Sequence, residues 1–388
     1  MLDYGFNETQ VQMIELARKI AREKIVPARA ELDEKEEFPW EIMKVLADAG
    51  LFGIYIPEEY GGMGLGNFDN NLVVEELSKY CIGVSVSFAA SGLGAYPILL
   101  FGSHEQKMKY LPDIAAGKKL AAFGITESSS GSDAGSIRTT AKKDGDYYIL
   151  NGVKQWITNG GEAETYSVIA KTDPSKGSRG ATGFILEKGM PGFTFGKKEK
   201  KLGIHASATR ELVFEDCKVH KDMMLGREGM GFMVAMKTFD QTRTGIAAQA
   251  VGLAQGALNE AIKYAHERMT FGKAIIAHQA VQHMLANMAT EIEAARALTY
   301  QASRYCDSGA KDMSKYSSMA KLFSTDVCMR VTTDVVQIFG GYGYMREYPV
   351  EKMMRDAKIL QIYEGTNQIQ RNVIGQYLNK ECAAKKID

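Results

Sequence analysis

The chain has 388 residues, 47 basic and 47 acidic side chains, and an apolar share of 45%. That length exceeds the common domain size of about 100–200 residues and calls for two or three domains. The balanced charge argues against a nucleic-acid partner or an anionic membrane surface, and no nucleic acid is expected. No run of about 18 uninterrupted apolar residues is read, so no membrane span is expected. The N-terminal residues mix both charges and lack the apolar core of a secretory signal. The five cysteines, Cys81, Cys217, Cys306, Cys328 and Cys382, contain no CxxC pair. They read as reduced thiols of a cytoplasmic protein rather than a disulfide frame or zinc site. The six histidines form no HExxH pattern, so metal chemistry is not expected.

The first stretch reads as helical. Asn7 and Gln10 have the spacing of a capping box, and Val11, Ile14, Ala17, Ile20 and Ala21 keep helical spacing up to Pro27. Pro39 suits the first turn of a second helix, which Gly50 can end. Tyr60 to Gly66 is a glycine-rich loop, and a third helix is expected from about Asp69 to Tyr80. Near residue 122 the pattern turns to strands. Asp144-Gly145, Asn151-Gly152 and Asn159-Gly160 are dipeptides of hairpin turns, so an antiparallel β domain is expected. From about Gly231 the spacing is helical again, in long alanine-rich runs that fit a helix bundle. The domains are placed at 1–121 (helical), 122–232 (β) and 233–388 (helical bundle), an α+β chain.

Five segments carry chemistry. Phe123 to Asp133 is rich in hydroxyls and small residues, able to offer N–H and OH groups to a ligand; its plainer reading is a polar interdomain loop. Trp156 and Thr158 share one strand face that could stack on a ring system, although a core tryptophan is the commoner case. Arg268, in Arg268-Met269-Thr270-Phe271-Gly272, is a candidate anion clamp because its fork fits phosphate. Gln337 to Gly343 adds a break between helices, where a backbone can approach a dinucleotide or a glycine can simply cap a helix. Last, Tyr363-Glu364-Gly365-Thr366 sets one carboxylate between an aromatic and a glycine. Buried, it could act as a general base near neutral pH; exposed, it is an ordinary helix start. No strand–GxGxxG–helix unit or Walker loop is present, so a dinucleotide would have to bind outside a Rossmann site.

In this order the segments resemble the acyl-CoA dehydrogenase family over nearly the whole chain. The resemblance rests on Gly124-Ile125-Thr126-Glu127 through Gly131-Ser132-Asp133. It rests equally on Gln337, Gly340-Gly341, Gly343-Tyr344, Glu347, Lys352 and Asp356, with Trp156-Ile157-Thr158 and Arg268…Phe271-Gly272. Lys237 to Arg243 and Met353 to Lys358 look most like the bacterial short-chain, butyryl-CoA branch. The resemblance implies an N-terminal helical domain, a middle antiparallel β domain and a C-terminal four-helix bundle. It also implies FAD, an acyl-CoA substrate, electron transfer flavoprotein as acceptor, and a homotetramer built as a dimer of dimers.

By the same resemblance Glu364 removes the α-proton. Phe123, Ile125, Thr126, Ser132, Trp156, Thr158, Thr366 and Gln368 face the flavin, and Arg268, Phe271, Gln279, Gln337 and Gly341 are lent to it by a partner subunit. Ser132, Asp240, Arg243 and Gly365 match substrate positions. Ser87 to Tyr96, dominated by small side chains, falls where the family lines its acyl cavity. With no lysine or arginine between Cys81 and Pro97, an uncharged acyl group is expected, and the likeness to the butyryl-CoA branch implies a short, linear one. A branched or cyclic acyl group and an enoyl-CoA reductase remain alternatives. An oxidase would be expected to have a longer chain, a monooxygenase or desulfinase to lack the glutamate, and a non-catalytic flavin-binding scaffold to have lost Glu364, Arg268 or Trp156.

Overall fold

The computed structural model describes residues 3–384. Helix α1 (Glu8–Ile20) opens on the expected capping box: Gln10 N donates to Asn7 Oδ1 at 2.9 Å and Asn7 N to Gln10 Oε1 at 3.1 Å. The helical run does not stop at Pro27. A wider turn at Ala21–Ile25 passes it into α2 (Val26–Lys35), where Pro27 occupies the first turn and its missing N–H is not needed. Helix α3 (Trp40–Asp48) follows Pro39 and is ended by Gly50 in a left-handed conformation, φ 74°. Helices α4 (Asn67–Ser78), α5 (Ile82–Phe101) and α6 (His104–Ala115) complete the first part.

Helix α5 bears on the expectation of no membrane span. Its 20 residues are long and apolar enough to cross a membrane, with a mean hydropathy of 1.6. Its serines, glycines and Pro97 interrupt the apolar run, which is why the sequence reading passed over it. In the structure 72% of that window is buried. The helix packs on α4, on the sheet and on the first long helix of the C-terminal part, and an all-round apolar helix is what such a position requires.

The sheet contains β1 (Ala121–Gly124), β2 (Thr140–Asp144), β3 (Tyr147–Thr158), β4 (Thr165–Lys171), β5 (Ala181–Glu187), β6 (Phe193–Phe195), β7 (Thr209–His220) and β8 (Met224–Leu225). Its order is β6-β7-β3-β2-β4-β5-β8, with β1 also paired to β4. Most pairs are antiparallel, but β1–β4 and β2–β4 are parallel, so the sheet is mixed rather than purely antiparallel. Asp144-Gly145 is a hairpin turn, between β2 and β3. Asn151-Gly152 is not a turn; it lies inside β3, where Gly152 adopts φ 140° beside a register shift. Asn159-Gly160 turns the chain away from β3, and β4 pairs with β5 and β1 instead.

The C-terminal part holds α7 (Gly231–Glu267), a short ribbon β9–β10 (Met269–Thr270, Lys273–Ala274), α8 (Gln279–Asp307), α9 (Met313–Phe339), α10 (Val350–Leu360) and α11 (Asn367–Ala383). Helices α7, α8 and α9 pack on one another, with α10 and α11 on α9. Where the three parts meet, α5 lies against β1 at close range. A Cβ on Gly94 would come within 2.4 Å of Ala122 N, so only glycine allows this approach. All five cysteines are free, four of them buried, and the described residues contain no cluster of metal-ligating side chains.

Candidate active site

Three helices and two strands wall a cleft with about 950 Å³ of free space, counting its open mouth. Each helix presents one face at i, i+3, i+4, i+7. From α4 come Asn67, Asn70, Asn71 and Val74; from α5, Val86, Ala89, Ala90 and Leu93; from α7, Thr242, Gly245, Ile246 and Gln249. Opposite them are Phe123, Ile125, Thr126, Trp156 and Thr158, and Glu364 with Tyr363 closes one side. No lysine or arginine lines this wall. The stretch Ser87 to Tyr96 divides its work. Ala89, Ala90, Gly92, Leu93 and Tyr96 face the cleft, while Ser91 and Gly94 pack on the sheet.

Glu364 sits in the bend between α10 and α11, at φ 52°, followed by Gly365 at φ 94°. Among the described residues its carboxylate accepts a single hydrogen bond, from Thr242 Oγ1 at 2.7 Å. Burial pushes its pKa up to about 7, against the Thr242 hydroxyl and the positive charges of Arg243 and Lys321. The Glu364 N–H makes no hydrogen bond among the described residues. Thr366 caps α11 by accepting from Ile369 N at 3.3 Å.

Trp156 is 57% exposed, so it is not a core tryptophan. It adopts φ 57° at an irregularity of β3, which breaks strict alternation and brings Trp156, Ile157 and Thr158 all to the cleft. The loop after β1 is braced by Glu127, which accepts from Lys154 Nζ at 2.7 Å, Arg138 N at 2.6 Å and Thr139 N at 2.9 Å. Burial pushes the Lys154 ammonium down to about 8.

The remaining expected residues lie elsewhere. Arg268 and Gly341 line a second cavity of about 880 Å³ of free space, with Tyr264, Phe339 and Tyr342. Arg268 stands over the Tyr342 ring, 5.6 Å from its centre. Phe271, 95% exposed on the β9–β10 turn, Gln279 and Gln337 are all on the surface and outside the cleft. Ser132 and Gln368 are exposed and also outside the cleft's lining. Asp240 and Arg243 are buried behind the Glu364 bend, paired at 3.3 Å, and Arg243 Nε makes a long 3.4 Å contact to Glu364 O. Thr242, Gln249, Asn70, Asn71 and Lys321 were not picked out as site residues by the sequence reading. The spacing of 242, 245, 246 and 249 was the signal available for Thr242 and Gln249, and that of 67, 70, 71 and 74 the signal for Asn70 and Asn71.

The cleft thus offers a flat ligand an exposed indole and strand backbone beside one under-solvated carboxylate. The second cavity offers an anionic group an exposed guanidinium, with the open glycines Gly340 and Gly341. An aromatic cofactor carrying a pyrophosphate suits this donor set.

Comparison with known proteins agrees. Models of the acyl-CoA dehydrogenase N-terminal, middle and C-terminal domains match residues 7–118, 122–217 and 229–378. An acyl-CoA dehydrogenase of Bacillus subtilis is 48% identical over 372 residues, 96% of this chain and 98% of that one. Butyryl-CoA dehydrogenase of Megasphaera elsdenii superposes with a TM-score of 0.95 at 47% identity, covering 97% of this chain and 100% of the other. A chain solved in work on the electron transferring flavoprotein of Acidaminococcus fermentans gives 0.95 at 51% identity, covering 97% and 99%. A further neighbour has been solved with FAD bound. The chain therefore belongs to the acyl-CoA dehydrogenase family, a family of FAD-dependent enzymes.

Proposed function

We propose that this enzyme removes the α- and β-hydrogens of an uncharged short-chain acyl-CoA to give the enoyl-CoA, with Glu364 as the base. The observation that carries this reading is a cleft-facing carboxylate with one hydroxyl donor and a pKa pushed to about 7. A base of that kind is deprotonated near neutral pH yet still takes a proton readily. The α-proton of a thioester is too weakly acidic without help at its carbonyl oxygen. The free Glu364 N–H is available as one such donor. FAD, when bound, supplies the acceptor for the β-hydrogen and its electron pair. Phe123, Ile125, Thr126, Ser132, Trp156, Thr158, Thr366 and Gln368 would hold it in one subunit. Arg268, Phe271, Gln279, Gln337 and Gly341 would reach it from the next, within a homotetramer of two dimers. The surface position of this second set supports that division, because these residues do not join the cleft of their own chain. On this reading Ser132, Asp240, Arg243 and Gly365 serve the acyl-CoA, Asp240 and Arg243 from behind the Glu364 bend.

The absence of a cation from the cleft wall favours an uncharged acyl group, since a buried free carboxylate would go unpaired. Likeness to the Megasphaera enzyme favours a linear short chain. A compact branched or cyclic acyl group is the second reading, favoured by the space beside Ala89, Ala90 and Gly92. The same residues would also serve an enoyl-CoA reductase. Electron transfer flavoprotein as acceptor draws support from the Acidaminococcus chain, and the unpaired cysteines support a cytoplasmic location. The test is a panel of butyryl-, hexanoyl-, isobutyryl-, cyclohexanoyl- and glutaryl-CoA with a dye acceptor. The highest kcat/KM is expected for an uncharged substrate, and a first place for glutaryl-CoA overturns the acyl assignment. Glu364→Gln is expected to keep FAD and lose at least about 100-fold in kcat.

A further inference from the structure

Lys321, on α9, is fully buried, and its ammonium points into the bend that carries Glu364. Its Nζ donates to Gly365 O at 2.9 Å and to Asn367 Oδ1 at 2.8 Å. Among the described residues it forms no ion pair. The Asn367 amide is held for this contact: its Nδ2 donates to Thr325 Oγ1 at 2.9 Å and Asp326 Oδ1 at 2.7 Å, which turns Oδ1 towards the lysine. Gly365 O takes a second donor, Gln370 Nε2, at 2.8 Å.

Two features set this lysine apart from a simple brace. First, the bend it grips puts a non-glycine residue, Glu364, at φ 52°, a left-handed conformation that persists only where its surroundings enforce it. Second, a neutral side chain already serves the same carbonyl, so holding it does not require a charge. An ammonium without a paired anion is expensive to bury. Burial pushes Lys321 down to about 7, opposed first by the Glu364 carboxylate. The charged and titratable groups around the pair are Asp240 and Arg243 from α7, Asp326 from α9, Tyr363 beside Glu364, and Tyr377 from α11. Arg243 opposes the charge on Lys321 and Asp326 favours it.

We propose that Lys321 is a positioning residue for dehydrogenation: anchored on Gly365 O and Asn367 Oδ1, it fixes the Glu364–Gly365 bend and sets a positive charge behind the carboxylate. The proposal rests on the reading of Glu364 as the base. Removing the charge takes away one influence that favours ionised Glu364, so the base should titrate higher.

The test is single-turnover flavin reduction by butyryl-CoA from pH 5.5 to 8.5, with FAD content measured on the same samples. Lys321→Met is expected to keep its FAD, lose at least about tenfold in the maximal rate, and move the acidic limb up by roughly a few tenths of a pH unit, less than loss of the Thr242 hydroxyl does. Lys321→Arg is expected to leave the limb at the wild-type position. If Lys321→Met does not fold, Asn367→Leu removes one acceptor, drives the buried amine towards neutrality, and should raise the limb in the same direction. An acidic limb that stays in place in the neutral variant, or a rate loss matched by FAD loss alone, overturns the proposal. An active Glu364→Gln in the same series overturns the base reading instead, so the two failures are distinguishable.

Discussion

Two glutamates stand at the cleft, Glu127 next to the lining residue Thr126 and Glu364 in the lining itself, and their surroundings send them in opposite directions. Glu127 follows the cleft residue Thr126 and is met by an ammonium and two backbone N–H groups. Burial pushes its pKa up, but the Lys154 charge and these donors hold it below the ordinary carboxylate range. Glu364 is met by one hydroxyl, and burial prevails, to about 7. Residue type is the same; the number and charge of the donors decide which carboxylate is a permanent anion and which can carry a proton back and forth. The first builds the site and the second is fit to work in it.

Breaking the first environment should have the largest effect on stability. Lys154→Met leaves Glu127 buried without its cation and should cost about 3–5 kcal/mol in urea unfolding, with FAD lost as the loop after β1 relaxes. Unchanged stability would show that the two N–H groups suffice. Next in size, Arg268→Ala removes the exposed guanidinium of the second cavity. It should weaken FAD retention by about 10–100-fold on ultrafiltration, the worth of a charged hydrogen bond; normal flavin content would remove Arg268 from the cofactor site. Thr242→Val sharpens the comparison by stripping Glu364 of its one donor. Its acidic limb should rise by about half to one pH unit, and an unmoved limb would mean the hydroxyl contact is not made during turnover.

The smallest effect is on stability against pH. The folded-state pKa of Glu364 lies above its unfolded value of about 4.3, so the folded protein holds its proton more tightly. That contribution is complete below the unfolded value and is lost as pH rises through about 7. Glu127, lowered instead, contributes above the ordinary carboxylate range and loses it as pH falls. Glu364→Gln should therefore gain Tm over wild type between pH 5 and pH 8 by a few degrees. A gap that does not widen with pH contradicts the raised value.

Local signals were legible in the sequence where the physics is local. The Asn7–Gln10 cap, Gly50 after α3 and the Asp144-Gly145 turn depend on neighbours a few residues away, and the structure places them as expected, while Pro39 falls one position before the first turn of α3. Asn151-Gly152 has the composition of a turn, yet strand pairing with β7 overrides it and uses the glycine inside β3. The parallel pairing of β4 with β1 and β2 depends on where the chain re-enters the sheet, which no dipeptide records. The same holds for the site. Tyr363-Glu364-Gly365-Thr366 marked the cleft carboxylate, but its hydroxyl partner lies 122 residues away inside α7, and Lys321 is 44 residues from the carbonyl it grips. In the sequence each reads as one more polar residue of a long helix; only the packing of α7 and α9 on the bend gives them a part.

The central claim is that Glu364 titrates near neutrality and takes the substrate proton. The most direct test is the rate constant of flavin reduction in a single turnover with saturating acyl-CoA, followed from pH 5.5 to 8.5. The account predicts a rate that falls about tenfold per pH unit below an apparent pKa near 7, and a Glu364→Gln enzyme that binds FAD and acyl-CoA but shows neither the rate nor the limb. A flat wild-type profile down to pH 5.5, with the glutamine variant within about tenfold of wild type, would contradict it.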